Sequence, residues 1–344
     1  MFWKFRAGTH LKGVVRFFRV GSFCLLLPLL ATGPAVSASL QTPPADPAGA
    51  DISIVSAQEF VLPAPRGEDA LRVLVKVPRG KAPDGGYPVL YTFDAEMSVS
   101  FFASNLDLIS QMTRRYHKVA PILVAIGYAD GKINMTRRTF DLTPPSDHAD
   151  GHFDMPNRNN GYPWPKAGGG DHFLDRVMTE VKPFIASHFP ADTHHETLFG
   201  HSFGGLMVVH TLFTRPDSFD AYVASSPSLW VNAGQGLREA KTFLKHGRGK
   251  ADAKPIPLLL TAGGGEEDLT EWDKSLPDDP QERLSWLRGN RMLGNVKDLA
   301  HLMSEEGQGQ IDLTFQVIGH ENHLSVQPIS SYRAILFAID HERD

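Results

Sequence analysis

Cysteine is nearly missing from this sequence. Among 344 residues there is one, Cys24, and it falls in an N-terminal segment that reads as removable. Beyond residue 38 the chain has no thiol, which excludes thiol catalysis, cysteine–metal sites and a disulfide framework. Basic charge is also in deficit. Thirty-four Lys+Arg against 39 Asp+Glu give a formal net charge of −5. Lys4, Arg6, Lys12, Arg16 and Arg19 all precede residue 38, in a stretch with no Asp or Glu. Removing those five cations takes −5 to −10. A chain this acidic is a poor partner for nucleic acid.

A membrane-spanning apolar run is missing as well. Residues 21–32 hold Phe23, Leu25, Leu26, Leu27, Leu29 and Leu30, an apolar stretch too short to cross a bilayer comfortably. It follows a cationic start and precedes Val36-Ser37-Ala38, with small residues at the −3 and −1 positions of a cleavage site. That order predicts a secretory signal peptide over residues 1–38, cut after Ala38, with no stable membrane anchor left behind. Residues 39–51, with Pro43, Pro44 and Pro47, read as a disordered leader. The catalytic domain is then residues 52–344.

There is no internal repeat. Residues 54–62 and 71–77 read as antiparallel opening strands. Residues 88–93, 121–127, 221–224 and 257–261 are nearly continuous in apolar residues, as strands buried on both faces are. Helical patterns lie at 101–112, 171–189, 237–245, 281–305 and 326–339, and a last strand at 313–318. Strands alternating with helices after an antiparallel start predict an α/β fold with a mostly parallel sheet covered on both faces. Residues 128–170, rich in Gly, Pro, Asn and Asp, read as a long excursion over the domain, of a length that is usually functional or mobile.

The chain is organised around Gly200-His201-Ser202-Phe203-Gly204. An apolar strand precedes this Gly-x-Ser-x-Gly and an apolar helix follows, the context in which the motif presents a nucleophilic serine. Gly200 and Gly204 are expected to let neighbouring backbone pass close to Ser202. A serine hydroxyl needs a base, and the base an orienting acid. In Gly-x-Ser-x-Gly hydrolases the order is Ser, acid, His. Glu266, Glu267 and Asp268 follow Gly263-Gly264-Gly265, with Glu266 favoured as the acid. His320 and His323 follow the last strand, and spacing does not choose between them. No further ligand sits in register with that His-x-x-His pair, so no metal and no cofactor are expected. His148, His152, His172, His194 and His195 read as solvated surface histidines. The oxyanion hole needs two N–H donors. One is expected from Phe203 and the other from the turn after residues 88–93, at Ala95 first and Glu96 second.

Several blocks together resemble the esterase family of α/β-hydrolases that contains esterase D. They are Tyr87-Pro88-Val89-Leu90-Tyr91-Thr92-Phe93-Asp94, Arg137-Arg138-Thr139-Phe140-Asp141, Gly200 to Leu206, Ser225-Ser226-Pro227-Ser228-Leu229-Trp230 and Glu321-Asn322-His323-Leu324-Ser325-Val326. Within that family the chain is similar to ferric-siderophore esterases acting on enterobactin, salmochelin and bacillibactin. The resemblance implies an α/β-hydrolase fold, His323 as the base and a periplasmic serine esterase. Its substrate would be a small-molecule ester, a ferric catecholate siderophore whose trilactone is cut to release iron. Trp230 resembles a pocket-wall aromatic. Arg137 and Arg138 are placed to attract an anionic catecholate, or else to pair with Asp141. Ala95 stands where relatives have glycine in Leu-Asp-Gly, which leaves a backbone donor in place. A general carboxylesterase, an acyltransferase and a non-catalytic siderophore-binding protein are the other readings.

Overall fold

The computed structural model describes residues 56–64, 68–113, 118–156, 162–248, 254–277 and 279–340. Residues 1–51, expected from the sequence to be a signal peptide and leader, and Ile54-Val55 of the first predicted strand lie outside the described residues. Residues Ile52–Asp344 make one compact unit.

Eight strands form one sheet in the order β1-β2-β4-β3-β5-β6-β7-β8. They are β1 (Gln58–Leu62), β2 (Leu71–Lys76), β3 (Tyr87–Thr92), β4 (Ile122–Tyr128), β5 (Ala191–His201), β6 (Ala221–Ser225), β7 (Ile256–Gly263) and β8 (Ile311–Ile318). β1 and β2, and β2 and β4, pair antiparallel. Every later pairing is parallel.

The apolar runs are continuous because alternate residues feed two cores. Val89 and Tyr91 of β3, Tyr222 and Ala224 of β6, and Leu258 and Leu260 of β7 join one cluster. Leu90, Val223 and Leu259 join the cluster on the opposite face. That second core is closed by α1 (Ala95–Thr113) and α10 (Val326–Asp340). The first is closed by α5 (Phe203–Thr214), α6 (Gln235–His246) and α9 (Met292–Glu306), with α3 (Gly170–Arg176) and α4 (Lys182–His188). Among the described residues no helix is long and apolar enough to cross a membrane.

Five helical features differ from expectation. α1 starts at Ala95 rather than near residue 101, directly after the turn that follows β3. The single helix expected over 171–189 is α3 and α4 joined by a π-helical turn at Val177–Val181. The helix expected over 281–305 is α8 (Pro280–Asn290) and α9, broken at Arg291, whose φ of 47° lies in the left-handed region. The long excursion contains α2 (Met135–Asp141), capped by Asn134, whose side chain accepts from the Arg137 N–H. A short α7 (Glu271–Lys274) carries a Thr270–Asp273 capping box inside a stretch that reads as loop.

The nucleophile helix is pinned by a buried histidine. His210 of α5 bonds Glu239 of α6 through Nδ1 at 3.0 Å and Asp171 of α3 through Nε2 at 3.1 Å. Burial opposes its charge, but hydrogen bonds with Asp171 and Glu239 outweigh burial and push its pKa up to about 9. Its folded pKa exceeds its unfolded one. The stabilisation is therefore full below about pH 6.5 and is lost as pH rises through about 9. We expect His210→Gln to cost on the order of 3 kcal/mol near pH 6 and little near pH 10. Urea unfolding of both proteins across that range checks it.

Candidate active site

Parallel pairing brings the carboxyl ends of β3, β5, β6, β7 and β8 to one edge, where ligand sites of open α/β sheets lie. Ser202 is at the end of β5, with φ 62° and ψ −120°. Such a conformation costs a non-glycine residue about 1–3 kcal/mol and persists only when its surroundings over-determine it. Here they do. The Ser202 N–H donates to the Ser225 carbonyl at 3.0 Å, and the Ser202 carbonyl accepts from Leu206 at 2.9 Å and Ser228 at 3.1 Å.

The tightness of the turn falls on Gly200, as expected, but on Gly205 rather than Gly204. A Cβ on Gly200 would stand 2.1 Å from the Gly204 carbonyl oxygen. One on Gly205 would stand 2.8 Å from the Ser225 oxygen. One on Gly204 would meet only ordinary contacts, the nearest Asp94 Oδ2 at 3.5 Å. Gly200 and Gly205 carry the close approach, because β5 and β6 backbone press on the first turn of α5.

Glu266 is the carboxylate that meets a histidine. It is 2 % exposed. Its Oε2 lies 2.8 Å from His323 Nδ1, and its Oε1 accepts from the Ser226 hydroxyl at 2.5 Å and the Gly263 N–H at 2.6 Å. Glu267 instead accepts from the Gly294 N–H at 2.7 Å, and Asp268 is exposed beside Arg288. His320 is an exposed turn residue with φ 65°. The triple glycine allows the two loops to meet. A Cβ on Gly263 would strike the Glu321 carbonyl at 2.4 Å, and the Gly265 N–H donates to that same carbonyl.

With Nδ1 committed to Glu266, His323 keeps Nε2 for a proton from elsewhere. Its ring lies 4.6 Å from that of His201, the neighbour of Ser202. Ser202 Oγ itself is 3.4 Å from Ser228 Oγ and makes no hydrogen bond to His323. Hydrogen bonds between nucleophile and base commonly tighten only around substrate. His201 is buried, and burial first, then His323 and Arg138, holds its pKa well below the usual imidazole range. It is a neutral neighbour for any charge arising on His323.

Ala95 and Phe203 are the first residues of α1 and α5, where N–H groups lack intrahelical partners. Each follows a residue with positive φ, Asp94 at 57° and Ser202 at 62°. Glu96 turns inward: its Oε1 accepts from the Tyr128 N–H at 2.9 Å.

The arginines are where the structure departs most from expectation. Arg138 is not a cation open to substrate. It is 5 % exposed, and its Nε and Nη2 grip Asp94 Oδ1 and Oδ2 at 2.7 and 2.8 Å. Nη2 also reaches the His201 carbonyl at 3.4 Å. One guanidinium thus ties the turn before α1 to the strand before Ser202. Arg137 pairs with Asp141 at 3.8 Å and Asp69 at 3.3 Å and lies over the Tyr128 ring. The pairing with Asp141 therefore applies to Arg137 alone. Arg138→Ala strands Asp94, whose side chain is only 9 % exposed. Leaving a buried charge unpaired costs about 3–5 kcal/mol, so a large drop in Tm is expected. Asp94→Asn on top of Arg138→Met should recover part of it.

Trp230 stands half-buried beside the serine turn. Its ring is 5.8 Å from Phe203 and 5.4 Å from Trp164, and Trp164 is 5.9 Å from Phe203. Its Nε1 donates to Met292 Sδ at 2.9 Å. No motif or periodicity in the sequence singles out Trp164. Its signal is an aromatic between Pro163 and Pro165 in a long excursion, whose Nε1 donates to the Pro156 carbonyl at 2.7 Å.

A strained serine turn, a buried carboxylate–histidine pair and two helix N-termini at one sheet edge define an α/β-hydrolase. The chain belongs to the esterase family described as "Putative esterase", whose model matches residues 65–293, and it is a carboxylic-ester hydrolase. It is 30% identical over 270 residues to the ferri-bacillibactin esterase BesA of Bacillus subtilis, covering 78% of this chain and 84% of that one. It is 32% identical over 294 residues to the siderophore triacetylfusarinine C esterase of Aspergillus fumigatus, covering 83% and 93%. Among solved structures it is similar to the siderophore hydrolase EstB of Aspergillus nidulans, with TM-score 0.69 and 30% identity over 86% of this chain and 99% of that one.

Proposed function

We propose that this chain is an exported serine esterase that opens the trilactone of a ferric catecholate siderophore. The observation that carries the reading is the buried Glu266–His323 pair beside the strained Ser202 turn. The names of the relatives support the substrate class.

In the proposed cycle, Ser202 Oγ attacks an ester carbonyl while its proton passes to His323 Nε2. Glu266 holds the Nδ1–H tautomer and stabilises the imidazolium. The N–H groups of Phe203 and Ala95 donate to the oxyanion. Collapse breaks the bond to the alcohol, which leaves with the His323 proton. Water then attacks the acyl-enzyme, with His323 again as base, releasing the acid and restoring Ser202. The iron belongs to the substrate. Opening the lactone ring loosens its chelation and frees the metal. Because Arg137 and Arg138 are both paired, recognition of the aromatic rings falls to the half-buried Trp230 and Trp164 by stacking, backed by the buried Phe203 ring. Export to the periplasm rests on the N-terminal segment and the resemblance to siderophore esterases.

The test is a product assay on iron-loaded and iron-free triscatecholate trilactone beside simple acyl esters. Ring-opened products that vanish in Ser202→Ala support the reading. Rapid turnover of simple esters with the trilactone intact would replace it with a general carboxylesterase.

A further inference from the structure

The long excursion brings together three groups that the esterase chemistry does not use. His148 and His152 stack with ring centroids 4.0 Å apart. Asp154 faces both, with Oδ2 3.3 Å from His148 Nε2 and Oδ1 3.6 Å from His152 Nε2. His148 Nε2 is shielded from solvent and has no hydrogen-bond partner. Among the described residues, these three form the one group of His and carboxylate ligands whose donor atoms all lie within 4.8 Å of one another. We propose that His148, His152 and Asp154 form a binding site for a divalent transition metal, best suited to zinc.

The donor chemistry fits. Two imidazoles and a carboxylate suit a tetrahedral zinc ion with a fourth position left to water, and imidazole suits Zn, Cu and Ni over Mg and Ca. A metal-bound histidine commonly has its other ring nitrogen held by a carboxylate that fixes the ring. His152 has that partner: Asp150 Oδ1 lies 2.5 Å from Nδ1, leaving Nε2 for the metal.

The turn is also held closed from outside. Asn232 donates from Nδ2 to Asp147 Oδ1 at 2.9 Å and accepts from the Asp154 N–H at 3.0 Å. One buried side chain thus grips both ends of the 147–154 turn, so little chain entropy remains to be lost on binding. Asn232 lies two residues beyond Trp230. An ion here would lock the 148–154 turn of the excursion, which Asn232 already ties to the element that carries Trp230. The site is structural, apart from the ester chemistry, and does not depend on which ester is cleaved.

The experiment is a zinc titration of the chelator-treated full chain, read by isothermal calorimetry and by competition with a chromophoric chelator. One equivalent is expected at micromolar affinity or tighter. His148→Ala/His152→Ala should weaken it by about 100-fold or more, and Asp150→Asn by about 10–100-fold, the range for removing an orienting partner. Cobalt(II) in place of zinc should give the visible absorption of tetrahedral coordination. Fluorophosphonate labelling of Ser202 should match the parent in each variant, which shows that the fold is kept. Absence of a stoichiometric site, or affinity within about threefold of the parent in the double variant, overturns the proposal.

Discussion

Ser202→Ala is expected to lower kcat on any ester substrate by about 10⁶-fold, the scale on which removing the nucleophile of a serine hydrolase acts. The residual rate should stay above that of water, because two helix N-termini still face the carbonyl. The fold should tolerate the change. The turn is held by backbone hydrogen bonds to the Ser225 carbonyl and from the Ser228 and Leu206 N–H groups, none of which uses the hydroxyl. Among the described residues the side chain's one hydrogen bond is the 3.4 Å contact with Ser228. Alanine at φ 62° carries the strain that serine already carries. Steady-state kinetics with a matched urea transition separates the two effects: kcat collapses and the transition stays.

Glu266→Gln is expected to lower kcat by about 10³–10⁴-fold with a smaller change in KM. The carboxylate accepts from three donors, namely His323 Nδ1, the Ser226 hydroxyl and the Gly263 N–H. A glutamine offers one oxygen and an NH₂ group. If the oxygen stays with Ser226 and Gly263, the NH₂ faces His323 Nδ1 and selects the tautomer with hydrogen on Nε2. That tautomer cannot take the serine proton. If the amide turns over, the NH₂ opposes two donors in a buried site, at a cost of about 1–3 kcal/mol. Glu267→Gln should leave kcat within about twofold, because its carboxylate only accepts from Gly294. A loss of rate at Glu267 equal to that at Glu266 would move the acid.

The sequence makes the sheet legible because period-two alternation and continuous apolar runs follow directly from burial on one or two faces. Leu90 and Tyr91 are both apolar, and each serves a different core. The serine turn is legible from local order alone. Helix breaks are not. The end of α8 at Arg291 rests on one positive φ at a residue with no glycine signature. Nor is the choice among three successive acids legible. It is made by the meeting of Gly263 and Gly265 with the Glu321 carbonyl, a contact between loops 56 or more residues apart in the chain. Arg138 is misread for a related reason. Two adjacent arginines look alike in sequence, but on α2 they point different ways, one into the sheet edge towards Asp94 and one outward to Asp69 and Asp141. Trp164 and the His148–His152–Asp154 group lie in an excursion without periodicity, where spacing says nothing about which residues meet.

The most direct test of the catalytic account is covalent. A fluorophosphonate should add one mass increment to the purified protein, mapped by peptide mass spectrometry to Ser202. Pre-incubation with iron-loaded triscatecholate trilactone should slow the labelling, and Glu266→Gln should slow it sharply. Stoichiometric label at Ser202 with that pattern is the predicted result. Ester turnover without label, or label on a residue other than Ser202, would contradict it.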